Sequence, residues 1–144
     1  MENVSRYERV IDIADVERAI SGKIYPQNTT IIALSATKGQ VDITLEDGEI
    51  ESRYAAVVPH KENDAYYVYC AIQAVFGEFT AKYQTGINIK IEELKHLIIP
   101  VYDMEKEKMI AKSFRNINKA IEEEEKAVEN YKSQKKYWLD KMFC

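Results

Sequence analysis

Cysteine, histidine, proline, glycine and tryptophan are all scarce: two, two, three, five and one among 144 residues. Cys70 lies in an apolar segment and Cys144 is the last residue, so neither a disulfide framework nor a thiolate metal cluster can be assembled, and a reducing cytoplasm is expected. His60 and His96 have no Cys or Ser nucleophile constellation beside them, and each reads as a loop or surface histidine. No stretch approaches the ~18 apolar residues needed to cross a bilayer, so no membrane partner is expected. The opening MENVSRYERVIDIADVERAI interleaves charge throughout and offers no signal-peptide apolar core. A glycine-rich phosphate loop, zinc-ligand spacing and a catalytic-triad order are also missing. The expectation is a non-enzymatic chain with no cofactor or metal of its own.

A basic excess is missing too. The formal charge is −4. Residues 1–100 hold 10 Lys and Arg against 15 Asp and Glu, whereas residues 101–144 hold 10 against 9. Nucleic-acid modules are ordinarily basic, because neutralised phosphates supply much of their affinity. On charge alone, DNA or RNA binding is disfavoured.

What remains is a hydrophobic content of 46% and a charged content of 31%, enough for one compact domain with an appendage. The first hundred residues read as mixed α/β. IDIADVERAISGK is compatible with a short helix ended by Gly22. TTIIALSA (29–36) is rich in β-branched residues and reads as a strand, with Gly39 in the following turn. VDITL (41–45) alternates, and Asp47-Gly48 reads as a hairpin turn before EIESRYAAVV. Asp64 is the expected N-cap of an apolar, buried helix AYYVYCAIQAVF, with Gly77 as its stop. INIKIEELKHLIIP then reads as strand, helical turn and closing strand.

After Pro100 the character changes. Asp103 is an N-cap candidate, Glu105 and Glu107 occupy the first turn where the helix dipole favours acids, and neither Gly nor Pro interrupts Met104 to Met142. Such a helix is roughly 58 Å long, more than a domain of about a hundred residues can cover. Two interleaved seven-residue series run along it: Ile110, Ile117, Glu124, Tyr131, Trp138, and Phe114, Ile121, Val128, Lys135, Met142. Eight of these ten are apolar and the residues between are mostly Lys, Glu, Asn and Gln, which is the repeat of a coiled-coil seam. In an antiparallel pair the two series face each other. One register sets Glu124 against Lys135, Tyr131 against Val128, Trp138 against Ile121 and Ile117 against Met142, leaving Ile110 and Phe114 to pack on the chain's own globular part. Sliding by a heptad leaves both charges facing apolar residues, at a cost of several kcal/mol. An antiparallel homodimer in the first register is therefore expected. Elsewhere the run Glu122–Glu125 reads as a solvated face.

The stretch INIKIEELKHLIIPVYDMEKEKMIAKSFRNINKAIEEEEKAVENYKSQKKYWLDKMF resembles the end of a target-recognition domain and its following helix in the DNA-specificity (S) subunits of Type I restriction–modification systems. Upstream, SGKIYPQNTTIIALSATKGQVDI and YYVYCAIQ resemble the same domain's strand passage and its buried aromatic helix. The resemblance implies an α+β fold: a mixed α/β, target-recognition-like domain over 1–102, then a long C-terminal coiled-coil helix over 103–144. It further implies a specificity subunit of half size, with one recognition domain and one helix where a full subunit has two of each. Such subunits are non-catalytic. Each recognition domain reads half of a split site in double-stranded DNA, and the helices act as a ruler between them. They dock DNA methyltransferase subunits, which bring S-adenosylmethionine, and restriction subunits. A two-fold dimer would read an interrupted palindrome. The sequence departs from the family in having DMEKEKMIA where an acidic-Gln pair is common, and in its short, acidic head.

Candidate DNA contacts under this resemblance lie in polar turns. Thr37-Lys38-Gly39-Gln40 offers Lys38 to phosphate or guanine and Gln40 to adenine; Lys82 and Gln84 form a second group and Arg53 a third. Seven tyrosines before residue 100 offer stacking surfaces, although Tyr66, Tyr67 and Tyr69 read as core. A rival reading is an interaction protein that has kept the fold and lost DNA contact, and the acidic head favours it.

Overall fold

The computed structural model describes residues 6–34, 41–83 and 89–143; the side chains of 77–83 and 143 lie outside that description. The elements are β1 (Arg6–Arg9), α1 (Val10–Ile13), β2 (Ala14–Arg18), β3 (Thr30–Ala33), β4 (Val41–Ile43), β5 (Tyr54–Pro59), α2 (Ala65–Tyr83), α3 (Ile91–Leu94), β6 (Ile98–Val101) and α4 (Met104–Phe143). An antiparallel four-stranded sheet runs β2-β5-β3-β4, and β1 pairs with β6 in a separate antiparallel ribbon. This is the expected α+β class, ending in the expected long helix.

Alternation explains why the larger sheet is covered on both faces. Ala55 and Val57 on β5, with Ile32 on β3, enter the main core beside Val68, Ile72 and Phe76 of α2. Ala56 and Val58, with Ile31, point the other way into a smaller cluster around Ala19, Tyr25 and Ile50. A strand with apolar residues on both sides needs cover on both. Segments 19–29 and 44–50 supply part of it through the Tyr25–Gly48 bridge, whose N–H···O distances are 2.8 and 3.0 Å.

Three local expectations are corrected. Residues 14–18 form a strand rather than a helix ended by Gly22: Ala14 and Val16 are buried while Asp15 is exposed, a two-residue period fixed by pairing with β5. Gly22 is instead a turn residue at φ 86°, where a side chain would be strained. Asp47-Gly48 does not join a β4–β5 hairpin, because β3 lies between those strands; the Asp47 carboxylate accepts from the Gln27 N–H at 2.7 Å. Gly77 does not stop α2, which continues to Tyr83; one glycine costs a helix only about 1 kcal/mol. Gly39 lies outside the described residues.

Other signals hold. The Asp64 carboxylate accepts from the Tyr67 N–H at 2.9 Å, capping α2, and Asp103 caps α4 through the Lys106 N–H at 2.9 Å. Tyr67 and Tyr69 are buried and Tyr66 packs against the core. In β6, Ile99 and Val101 are buried; Pro100 sits in a two-stranded ribbon, where a missing N–H is tolerated. Its carbonyl accepts from the Tyr67 hydroxyl at 2.7 Å. The chain divides into two units, Met1–Ala111 and Lys112–Cys144, so the first two turns of α4 belong with the head. Within that unit Ala111 and Ile110 join the main core.

Candidate functional site

Of the five candidate DNA-contacting residues, Arg53 is fully described. It stands just before β5 with its guanidinium 4.9 Å over the Tyr54 ring and its Nε 3.0 Å from Glu51. Both partners of that ion pair are largely exposed, so the contact is weak and leaves the guanidinium accessible. Lys82 lies in the last turn of α2, its side chain outside the described residues, as are Lys38, Gln40 and Gln84 entirely. Described residues next to these groups do converge. The Leu34 N–H donates to the Arg53 carbonyl at 3.3 Å, and the Ile89 N–H donates to the Leu34 carbonyl at 2.8 Å. Residues 53, 34 and 89, far apart in sequence, thus meet at one end of the central strands β3 and β5.

The head's other arginines are also engaged. Arg6 lies 2.6 Å from Glu8, Arg9 lies 3.0 Å from Asp12, and Arg18 donates to the Ser52 carbonyl at 2.7 Å. On the outer face of β2 a groove of about 480 Å³ is lined by Asp15, Glu17, Lys23, Ile24, Tyr25 and Val58, among others. Its polar groups satisfy one another: Tyr25 donates to Glu17 at 2.6 Å, Lys23 meets the same oxygen at 2.9 Å, and Asp15 lies 3.0 Å from His60. The Tyr25 hydroxyl and then the Lys23 ammonium hold the Glu17 carboxyl below its ordinary range. Burial, followed by the bond to Glu17, pushes the Tyr25 phenol up. These groups fasten the 19–26 segment onto the sheet and resemble no nucleophile–base pair. Among the described residues no His, Cys, Asp and Glu cluster could hold a metal ion, and no helix is long and apolar enough to cross a membrane.

The first turn of α4 holds a site that sequence reasoning missed. Glu107 is fully buried, and its carboxylate accepts from Asn63 Nδ2 at 2.9 Å, the Asp64 N–H at 2.8 Å and the Tyr102 N–H at 3.2 Å. An acid at a helix start is ordinarily a solvated partner of the dipole. Only the approach of the α2 start, more than forty residues upstream, makes this one an interior acceptor.

Beyond Ala111 the seam residues face solvent. Ile117, Ile121, Val128, Tyr131, Trp138 and Met142 are 48–69% exposed, and Glu124 and Lys135 are exposed with them. The six apolar side chains, with Glu124 and Lys135 set among them, are thus exposed on one face of the helix. Charge is segregated along the same stretch: residues 122–129 carry five Glu and one Lys, and residues 130–137 carry three Lys and no acid.

No protein-family model matches the sequence, and no curated protein matches it. Solved structures do match in fold. The S subunit of a Type I restriction–modification system from M. genitalium superposes with a TM-score of 0.69 at 15% identity, over 81% of this chain and 40% of its own. The HsdS subunit from Thermoanaerobacter tengcongensis gives 0.62 at 14%, over 81% and 38%. A chain from a study of complex assembly and conformational transition in the type I R-M system gives 0.67 at 14%, over the same shares. This chain therefore spans about two fifths of the length of the proteins it matches. The resemblance read from the residues holds at the level of architecture: the chain has the fold of the S subunits of Type I restriction–modification systems, a recognition-type α+β domain running into a long helix.

Proposed function

We propose that this chain is a non-catalytic DNA-specificity component of a Type I-like restriction–modification system, pairing with a second copy through α4 to read a split, palindromic site. The fold shared with S subunits carries the specificity reading. The exposed apolar stripe on α4 carries the pairing, and the charge pattern selects its occupant. An antiparallel second copy lays the acidic 122–129 segment along the basic 130–137 segment, twice by symmetry, whereas a parallel in-register pair stacks acid on acid. In the register that pairs Glu124 with Lys135, the flanking Glu125 lies beside Lys132 of the second copy. A one-heptad slide would bring Glu125 beside Glu125. Seam and flank thus favour one alignment.

The dimer would present two heads to double-stranded DNA, with Lys38, Gln40, Arg53, Lys82 and Gln84 as candidate contacts. It would recruit DNA methyltransferase subunits, which bring S-adenosylmethionine, and restriction subunits. One observation favours a second reading, an assembly protein that binds those subunits without DNA: the head is acidic, with 15 Asp and Glu against 10 Lys and Arg over residues 1–100. A low-salt mobility-shift selection from a random duplex pool, with a methyltransferase partner present, separates the two. Enrichment of a split palindrome is the expected result; methyltransferase binding with no enriched sequence would establish the rival.

A further inference from the structure

Glu107 is an expensive way to build an interior. A buried carboxylate must give up its water, and an aliphatic side chain of similar volume would fill the space without that penalty. Among the described residues no Lys or Arg forms an ion pair with it. What a carboxylate supplies and an aliphatic residue does not is direction. Its three donors come from two places: Asn63 and Asp64 at the start of α2, and Tyr102 on the approach to α4. Both helix starts are separately capped, Asp64 serving Tyr67 and Asp103 serving Lys106, so Glu107 is not needed as a cap. It joins one helix start to the other. Around it, Tyr67 reaches the Pro100 carbonyl, and the Tyr67 and Tyr102 rings meet edge to face at 5.9 Å.

We infer that Glu107 is a positioning residue for DNA spacing: it locks the first turns of α4 to the start of α2, so that the dimer accepts one spacer length between its two half-sites. The inference rests on the proposed function. Without the carboxylate, Ile110 and Ala111 still bury their apolar surface in the head. Apolar contact is non-directional and tolerates small rotations that three aimed hydrogen bonds do not. Each head would go on reading its half-site while the separation between half-sites ceased to be unique.

The test is selection from duplexes in which the spacer length is varied, using the full chain with its methyltransferase partner and recording solution mass in parallel. Glu107→Gln keeps size but turns a donor toward a donor; Asn63→Ala removes one bond and leaves the two backbone donors in place. The wild type should return a single spacer. Glu107→Gln should return the same half-sites with several spacers at unchanged dimer mass, and Asn63→Ala a smaller spread. If the Gln variant does not fold, the Ala variant decides. A single spacer retained by the folded variants overturns the lock while leaving the proposed function standing. Failure of the wild type to enrich any split site removes both.

Discussion

The Tyr67 hydroxyl bonds the Pro100 carbonyl inside the head, so Tyr67→Phe should lower unfolding free energy by about 1 kcal/mol in urea titrations. Asn63→Ala should lose more, about 1.5–3 kcal/mol, because the bond it removes goes to a buried carboxylate. Burial pushes the phenols of Tyr25, Tyr67 and Tyr69 above their ordinary value of 10. The folded chain therefore keeps protons that the unfolded chain releases above that pH. Stability is unaffected below it and falls as pH rises through it. The urea midpoint should be lower at about pH 11 than at about pH 9, with tyrosinate absorbance rising together with unfolding. Glu107, unlike Glu105, extends the Phe114 series back by seven residues and so lies on the inward face of α4; what the sequence does not show is that the α2 start arrives there with donors for its carboxylate.

Elements were legible to the extent that their signals are local. Asp64 and Asp103 announce helices because a cap needs only the three residues that follow it. The four-residue strand at 30–33 follows from its β-branched run. Residues 14–18 were misleading because a short segment with apolar residues at both two- and four-residue spacings fits either period, and its partner β5 lies some forty residues away. The Asp47-Gly48 signal failed similarly: the turn residues are there, but β3 occupies the place a hairpin partner would take. Helix α4 is the opposite case, its seven-residue repeat being a property of the chain itself. For that element the charge test is direct. Glu124→Lys or Lys135→Glu alone should weaken self-association about tenfold or more in sedimentation equilibrium, and the double swap should restore it. Equal association of all three variants with the wild type would sink the register.

The molecule as a whole combines a head whose charge is −5 over residues 1–100 with a helical segment of nearly balanced charge. Few of the candidate DNA contacts carry positive charge, which implies a shallow salt dependence. With Lys38, Arg53 and Lys82 from each of two heads, the logarithmic slope of DNA affinity against salt should be no steeper than about −5. A steeper slope would mean that phosphate contacts come from elsewhere, the helix lysines first among the candidates. The sequence by itself determined the long helix, its apolar stripe and the segregation of charge along it, because these depend on spacing within one element. It also pointed to the S-subunit architecture that the fold then displayed. Only the tertiary structure decided which strands are neighbours, that Leu34, Arg53 and Ile89 meet, and that Glu107 is an interior acceptor. Those facts depend on contacts between residues far apart in the chain, and no local pattern of residue types specifies which distant segment will arrive.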